Sequence, residues 1–183
     1  MIRTLPLALR NRLTDTILAA LHDERARHEL ARLTTPGAAA KWVGDDDAEW
    51  VELVTARARQ ACEAVVARPP RAPTADLRTA LDDARALFDA GLHFEVHEVL
   101  EPHWATSEGE AREALQGLIQ AAVGYQHLAN GNVAGARSLL TEAGARLRGR
   151  RLLGVDLDAF GRAVGEAAER VGEGAPVAPR WPV

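Results

Sequence analysis

Apolar residues recur at helical spacing through the first 70 residues of the chain. Five of them follow an i, i+4, i+8, i+9, i+12 pattern, which is one face of a helix: Leu9, Leu13, Ile17, Leu18 and Leu21. This pattern predicts a helix over about residues 7–32, which Pro36 and Gly37 end. A second helix is predicted after the acidic run 45–47, because carboxylates suit a helix N-terminus, and its apolar stripe extends from Trp50 to Val65.

The segment 68–73, Arg-Pro-Pro-Arg-Ala-Pro, separates two parts of the chain. Proline removes backbone donors and favours extended geometry, so this segment is the predicted linker. We therefore expect a helical N-terminal extension over 1–70, a helical bundle core domain over 75–172 and a flexible, Gly- and Pro-rich tail over 173–183. In the tail, Trp181 is expected to anchor either on the core domain or on a partner.

Helical periodicity also dominates the predicted core domain, and no period-2 alternation of five or more residues indicates a strand. Four or five helices are expected there. The first is predicted from the linker to Gly91 and the second over about 92–104. The third begins at the S-x-x-E capping box at 107–110 and ends at the turn at 130–132. The fourth extends from that turn through Leu147, and the last from Asp156 to about Val171. The predicted fold class is all-α, a multi-helical bundle of packed antiparallel helical hairpins.

The composition allows a packed core and narrows the function classes. Hydrophobic residues make up 47% of the 183 residues and charged residues 26%, which suits a folded globular protein. The net charge of −4 argues against a protein that binds nucleic acid through phosphate contacts. The basic run 146–151 follows a helix end, where cations complement the helix dipole, and phosphate binding is its alternative role. A single cysteine, Cys62, rules out an intrachain disulfide and a cysteine-rich zinc site.

The hydropathy of the chain also bears on its location. No apolar run approaches the roughly 18 residues that a membrane-spanning helix needs. The apolar run at the N-terminus is broken too early for a secretory signal. We therefore expect a cytoplasmic protein without a membrane partner.

The residues that can carry chemistry concentrate between 93 and 104, where three of the six histidines lie. His93, His97 and Glu101 are spaced i, i+4, i+8 and share one helical stripe, while Glu98 is displaced to one side. Imidazoles and a carboxylate one turn apart can share a divalent ion such as Zn, Fe or Mn. The spacing differs from the H-E-x-x-H of zinc proteases and from the E-x-x-H of di-iron bundles. Pro102 predicts that the helix kinks or ends there.

The next predicted helix carries a matching polar stripe. Its members are Gln116, Gln120, Gly124 and His127, while Trp104 extends the first stripe. A short connection predicts that the two helices are antiparallel neighbours. The expected facing pairs are His97–Gln116, His93–Gln120 and Glu101–Arg112. We call the two stripes, together with Glu98 and Arg112, the polar seam.

Two interpretations of the polar seam are open. In the first it is a structural network, in which His97 and Glu101 are satisfied by Gln116, Arg112 and the backbone. In the second it is a site for a divalent metal ion or a small ligand, and a hydrolase would use Glu98 as its general base. The alternative function is a helical interaction module that binds a protein partner or a second copy of the chain.

The residues of the polar seam belong to a longer pattern. It reads L-F-x-x-G-x-x-F-E-x-H-E-x-L-E-x-x-W over 87–104, L-Q-G-L-I-Q-x-A over 115–122 and H-x-x-x-G-N-x-x-G-A-x-x-L-L over 127–140. Over about residues 77–148, the sequence resembles the domain-of-unknown-function 309 family of small all-helical bacterial and archaeal proteins.

The resemblance implies an all-α fold, and it supplies no established activity or catalytic residue. It places six residues at the hallmark positions of the family: His97, Glu98, Glu101, Trp104, Gln116 and Gln120. His93 stands where the family pattern has an aromatic residue, and Pro102 also departs from that pattern. These departures count against a three-ligand metal site that includes His93.

Overall fold

The computed structural model describes residues 4–72, 76–174 and 176–182. Contacts among these residues divide them into two compact units, an N-terminal unit up to residue 72 and a C-terminal unit from residue 76 onward. The division lies just after the proline-rich segment 68–73 of the sequence. The proposed domain limits of 1–70, 75–172 and 173–183 stay a prediction, which limited proteolysis can test.

Four α-helices and one 3-10 helix form the described part of the N-terminal unit. They are α1 (Leu7–Ala20), α2 (Glu24–Arg32), α3 (Pro36–Val43), the 3-10 helix Asp45–Trp50 and α4 (Val51–Val66). α4 packs against α1, α2 and α3. The apolar stripes of these helices meet in a core that includes Leu13, Ile17, Leu30, Val54 and Ala58, each at most 1% exposed.

The prediction of a single helix over about 7–32 is wrong. α1 ends at Ala20, and α2 begins at Glu24 after a turn. The carboxylate of Asp23 accepts a 2.8 Å hydrogen bond from the backbone N–H of Ala26, so Asp23 is the N-cap of a new helix. Pro36 starts α3 instead of ending a helix, because a first-turn position needs no backbone donor.

Five α-helices and one two-stranded hairpin form the described part of the C-terminal unit. They are α5 (Leu77–Asp89), α6 (His93–Thr106), α7 (Gly109–Ala129), α8 (Val133–Leu147), β1 (Arg151–Leu152), β2 (Val155–Asp156) and α9 (Asp158–Arg170). Each helix packs against the next one along the chain. The predicted all-α fold of packed helices is therefore confirmed. No described helix combines the length and the hydropathy needed to cross a membrane.

Three local predictions for the C-terminal unit are corrected by the structure. α6 continues through Pro102 to Thr106, so the expectation that the helix ends at Pro102 is wrong, while a kink there stays a prediction. The Ser107 hydroxyl donates a 2.7 Å hydrogen bond to the carbonyl of His103, so it closes α6, and α7 begins at Gly109 without a side-chain cap. The hairpin β1–β2 was not expected, because two residues per strand are too few to show period-2 alternation.

Aromatic rings from four helices and the tail of the C-terminal unit meet in what we call the aromatic cluster: Phe88, His93, Tyr125, Phe160 and Trp181. The Phe88 ring lies 5.0–5.8 Å from each of the other four ring centroids. Trp181 is 5% exposed and its backbone N–H donates a 3.0 Å hydrogen bond to Asp89. Of the two anchors considered for Trp181, the structure shows the one on the protein's own C-terminal unit.

Candidate functional site

The position of the polar seam follows from the amphipathic character of α6. Val96 and Leu100, four residues apart, are fully buried and hold α6 on its neighbours. The adjacent stripe therefore lies at the edge of the packed face. The side chains of His97, Glu98 and Glu101 are 28%, 34% and 53% exposed, so they are accessible to an ion or a small ligand.

The His97 imidazole lies between two carboxylates. Its Nδ1 atom is 2.9 Å from Oε1 of Glu98, and its Nε2 atom is 3.9 Å from Oε2 of Glu101. One potential ligand atom from each of the three residues can be chosen so that all lie within 4.8 Å of one another. Within the described ranges of the chain, this is the one such group of three or more His, Cys, Asp or Glu side chains.

His93 is not part of this group, although it lies on the same helical stripe. Its ring packs in the aromatic cluster, 5.0 Å from the Phe88 ring and 5.5 Å from the Tyr125 ring. One turn of helix is enough to bring His93 over the hydrophobic core while His97 stays at the edge. The stripe thus divides into an aromatic part and a carboxylate-lined part.

Gln120 pairs with a residue that sequence spacing did not identify. It is 8% exposed, and its Nε2 atom donates a 2.8 Å hydrogen bond to Oε2 of Glu142 on α8. The other Glu142 oxygen accepts a 3.2 Å hydrogen bond from Ser138. Gln120 therefore joins α7 to α8, where the expected partner was His93. Gln116, the second amide of this stripe, is half-buried.

Arg112 also has a different role from the expected pairing with Glu101. Its Nη1 atom donates hydrogen bonds to the carbonyls of Trp104 (2.9 Å) and Ser107 (3.3 Å). The guanidinium also lies 4.0 Å from the centroid of the Trp104 ring. Arg112 thus satisfies carbonyls at the C-terminal end of α6 and fixes the α6–α7 connection.

His127, the last member of the second stripe, lies at the α7–α8 connection. Its Nδ1 atom is 2.6 Å from Nδ2 of Asn132, whose Oδ1 accepts a 3.0 Å hydrogen bond from the backbone N–H of Gly135. Asn132 is therefore the N-cap of α8, and His127 holds that cap in place.

The basic run at 146–151 forms ion pairs with the start of α7. Arg146 pairs with Glu113, and Arg150 pairs with Glu110. These two arginines therefore have carboxylate partners within the unit, which weakens the alternative of a phosphate-binding run.

Sequence reasoning missed three acidic residues near these helices. Glu95 and Asp83 are 1% and 3% exposed, and Glu142 is the partner of Gln120. Glu95 has a recognisable signal, because it follows Phe94 in the family pattern. Asp83 and Glu142 have none, because in an isolated sequence each looks like an ordinary polar position of an amphipathic helix.

Comparison with models of protein families gives a match. Residues 81–139 match the model of DUF309, described as a domain of unknown function. This confirms the resemblance inferred from the sequence pattern, over a segment that extends from α5 into α8 and includes the whole polar seam. Comparisons with the curated proteins and with solved structures find no match.

Proposed function

We propose that the C-terminal unit binds a divalent metal ion at the group of His97, Glu98 and Glu101, with His97 and Glu101 as primary ligands and Glu98 orienting the imidazole. The observation that carries the proposal is the meeting of one imidazole and two carboxylates, with ligand atoms within 4.8 Å of one another. Imidazole and carboxylate together suit Zn²⁺, Fe²⁺ and Mn²⁺. All three side chains are partly exposed, so an ion can enter and keep water in its remaining coordination positions.

The two imidazole nitrogens would have different tasks. The 2.9 Å separation between Nδ1 and Glu98 is a hydrogen-bond distance, so Glu98 holds the tautomer that carries the proton on Nδ1. This tautomer leaves the Nε2 lone pair free on the side of Glu101. Ligating histidines commonly donate their other N–H to a carboxylate in this way. His97 Nε2 and Glu101 are therefore the primary ligands, and Glu98 orients the imidazole.

The ligand atoms of His97 and Glu101 need to move only a short distance to coordinate one ion. Two ligands at about 2.1 Å from a tetrahedral zinc ion lie about 3.4 Å apart. Nε2 of His97 and Oε2 of Glu101 are 3.9 Å apart. Rotation of the more exposed Glu101 side chain can close this difference. Because few protein groups surround the ion, we expect an open site of moderate affinity, and the proposal includes no reaction.

Thermal unfolding of the full chain in chelator and in added Zn²⁺, Mn²⁺ or Fe²⁺ tests the proposal. An ion at 100 times its Kd stabilises the native state by about 2.7 kcal/mol, which corresponds to an increase in Tm of about 5–10 °C. His97→Ala and Glu101→Gln should lose most of this increase, and Glu98→Gln should reduce it. Glu169→Gln is the matched control, because Glu169 is an exposed carboxylate of α9 outside the group. Equal increases in the wild type and the His97 and Glu101 variants would exclude the site.

The alternative function is a helical interaction module in which the polar seam is a structural network, with a protein partner or a second copy of the chain as its ligand. It is supported by the hydrogen bonds of Gln120 to Glu142 and of Arg112 to Trp104, which connect neighbouring helices. The same experiment separates the two proposals. A structural role for His97 predicts that His97→Ala lowers the free energy of unfolding by about 1–3 kcal/mol. The resulting decrease in Tm should be the same in chelator and in metal.

The cytoplasmic location stays a prediction from the sequence.

A further inference from the structure

The C-terminal unit contains an apolar pocket that includes no residue of the polar seam. Its volume is about 220 Å³, and its walls come from α5, α7, the β1–β2 hairpin and the end of the tail. The apolar lining includes Leu81, Leu118, Leu152, Leu157 and Trp181. Cavities with such a lining and a few polar groups at one side are typical small-molecule sites.

The polar residues of the pocket all come from one face of α5. Arg78, Asp82 and Arg85 are spaced i, i+4, i+7 and line the same side. Together they carry one net positive charge. Arg85 is exposed and forms no hydrogen bond or ion pair with the residues that the structure describes. The pocket therefore combines an apolar interior with an available guanidinium at its edge.

The hairpin places an unusual residue at this pocket. Leu152 pairs with Val155, so Leu153 and Gly154 form a two-residue turn. Their φ angles of 50° and 89° are those of a type I′ turn, which favours Asn-Gly and disfavours a bulky residue. Leu153 nevertheless lines the pocket and is 44% exposed. Strained residues of this kind occur where the side chain serves a site, and here it supplies apolar surface at the pocket mouth.

We propose that this pocket binds a small amphipathic anion of the alkyl carboxylate class. The alkyl chain fills the apolar cavity, and the carboxylate pairs with Arg85, whose guanidinium fits a carboxylate through two hydrogen bonds. The single net charge of the polar edge suits a singly charged head group. A methylene group has about the volume of a water molecule in the liquid, so the cavity accommodates about seven carbon atoms.

Isothermal titration calorimetry of the full chain with hexanoate, heptanoate and octanoate tests the proposal, with octanol and octylammonium as head-group controls. Each added methylene should tighten binding about fourfold until the cavity is full. Octanol and octylammonium should bind at least about tenfold more weakly than octanoate, because neither offers Arg85 a carboxylate. Similar affinities for all three head groups would overturn the proposal and indicate a purely apolar pocket.

Two variants separate ligand binding from folding. Arg85→Ala should weaken octanoate binding about tenfold and leave the Tm unchanged, because Arg85 is exposed. Leu153→Asn should weaken binding severalfold and raise the Tm, because Asn-Gly suits a type I′ turn. Arg162→Ala is the control, since Arg162 is an exposed arginine paired with Asp158 outside the pocket. No saturable binding of octanoate to the wild type, or unchanged affinity in either variant, would overturn the proposal.

Discussion

The Tyr125 hydroxyl offers a sharp test of the packing in the C-terminal unit. Tyr125 is 3% exposed, and its hydroxyl has no hydrogen-bond partner within the described part of the chain. A buried polar group without a partner costs about 1–3 kcal/mol. Phenylalanine has nearly the same shape and keeps the edge-to-face contact with Phe88. We therefore expect Tyr125→Phe to raise the free energy of unfolding by about 1–2 kcal/mol at neutral pH.

The same burial makes stability depend on pH. Desolvation raises the pKa of Tyr125 from 10.0 to about 12. The unfolded state therefore loses this proton first, near pH 10. The free energy of unfolding of the wild type keeps its full value below pH 10 and falls as the pH rises from 10 through 12. A difference of two pKa units corresponds to about 2.7 kcal/mol. Tyr125→Phe has no hydroxyl to ionise and avoids this loss. The difference in unfolding free energy between the variant and the wild type should therefore grow between pH 10 and pH 12.

Two measurements check this prediction. Scanning calorimetry at pH 7 and at pH 10.5 compares the two proteins and can resolve separate transitions of the two units. Absorbance at 295 nm reports the ionisation of Tyr125 directly, because the chain contains a single tyrosine. The variant is its own control at high pH, since any remaining alkaline effect must come from other groups.

The reasoning would be refuted in two ways. A variant that is less stable by about 1 kcal/mol or more would show that the hydroxyl makes a favourable hydrogen bond in solution. A tyrosine that titrates near pH 10 in the folded protein would show that the aromatic cluster is open to water. Either result would also alter the description of His93, whose ring lies 5.5 Å from the Tyr125 ring.

Further predictions concern helix packing and chain organisation. Gly144→Ala should destabilise the C-terminal unit by about 1–3 kcal/mol in calorimetry, because the new Cβ would lie 2.9 Å from backbone atoms of α9. Its control is Gly165→Ala, whose Cβ would meet only the end of a flexible arginine side chain, so a stability equal to the wild type or up to about 1 kcal/mol higher is expected. Trypsin should first cut in the linker near Arg68 or Arg71, or in the tail after Gly172, as mass spectrometry of the fragments can show. In the linker the cleavable bond is Arg71–Ala72, because trypsin does not cut the Arg68–Pro69 bond. An intact linker would contradict two separable domains.

Short-range spacing was enough to predict the helices of the C-terminal unit and the proximity of His97 to Glu101. Both depend on the 100° rotation per residue of an α-helix, which is independent of the rest of the chain. The same reasoning failed between α1 and α2, where the cap formed by Asp23 outweighs a continuous apolar stripe. It also failed for β1–β2, because a Leu-Gly turn lacks the residues that usually mark such a hairpin.

The partners of the polar residues could not be predicted from spacing, because they depend on how helices pack. Gln120 bonds to Glu142, which lies 22 residues further along the chain, and Trp181 reaches Asp89 across 92 residues. A helical pattern shows which residues share a face but does not show the rotation of the neighbouring helix about its own axis. That rotation depends on side-chain volumes throughout the core. It brought His93 into the aromatic cluster and left His97 at the accessible edge of α6.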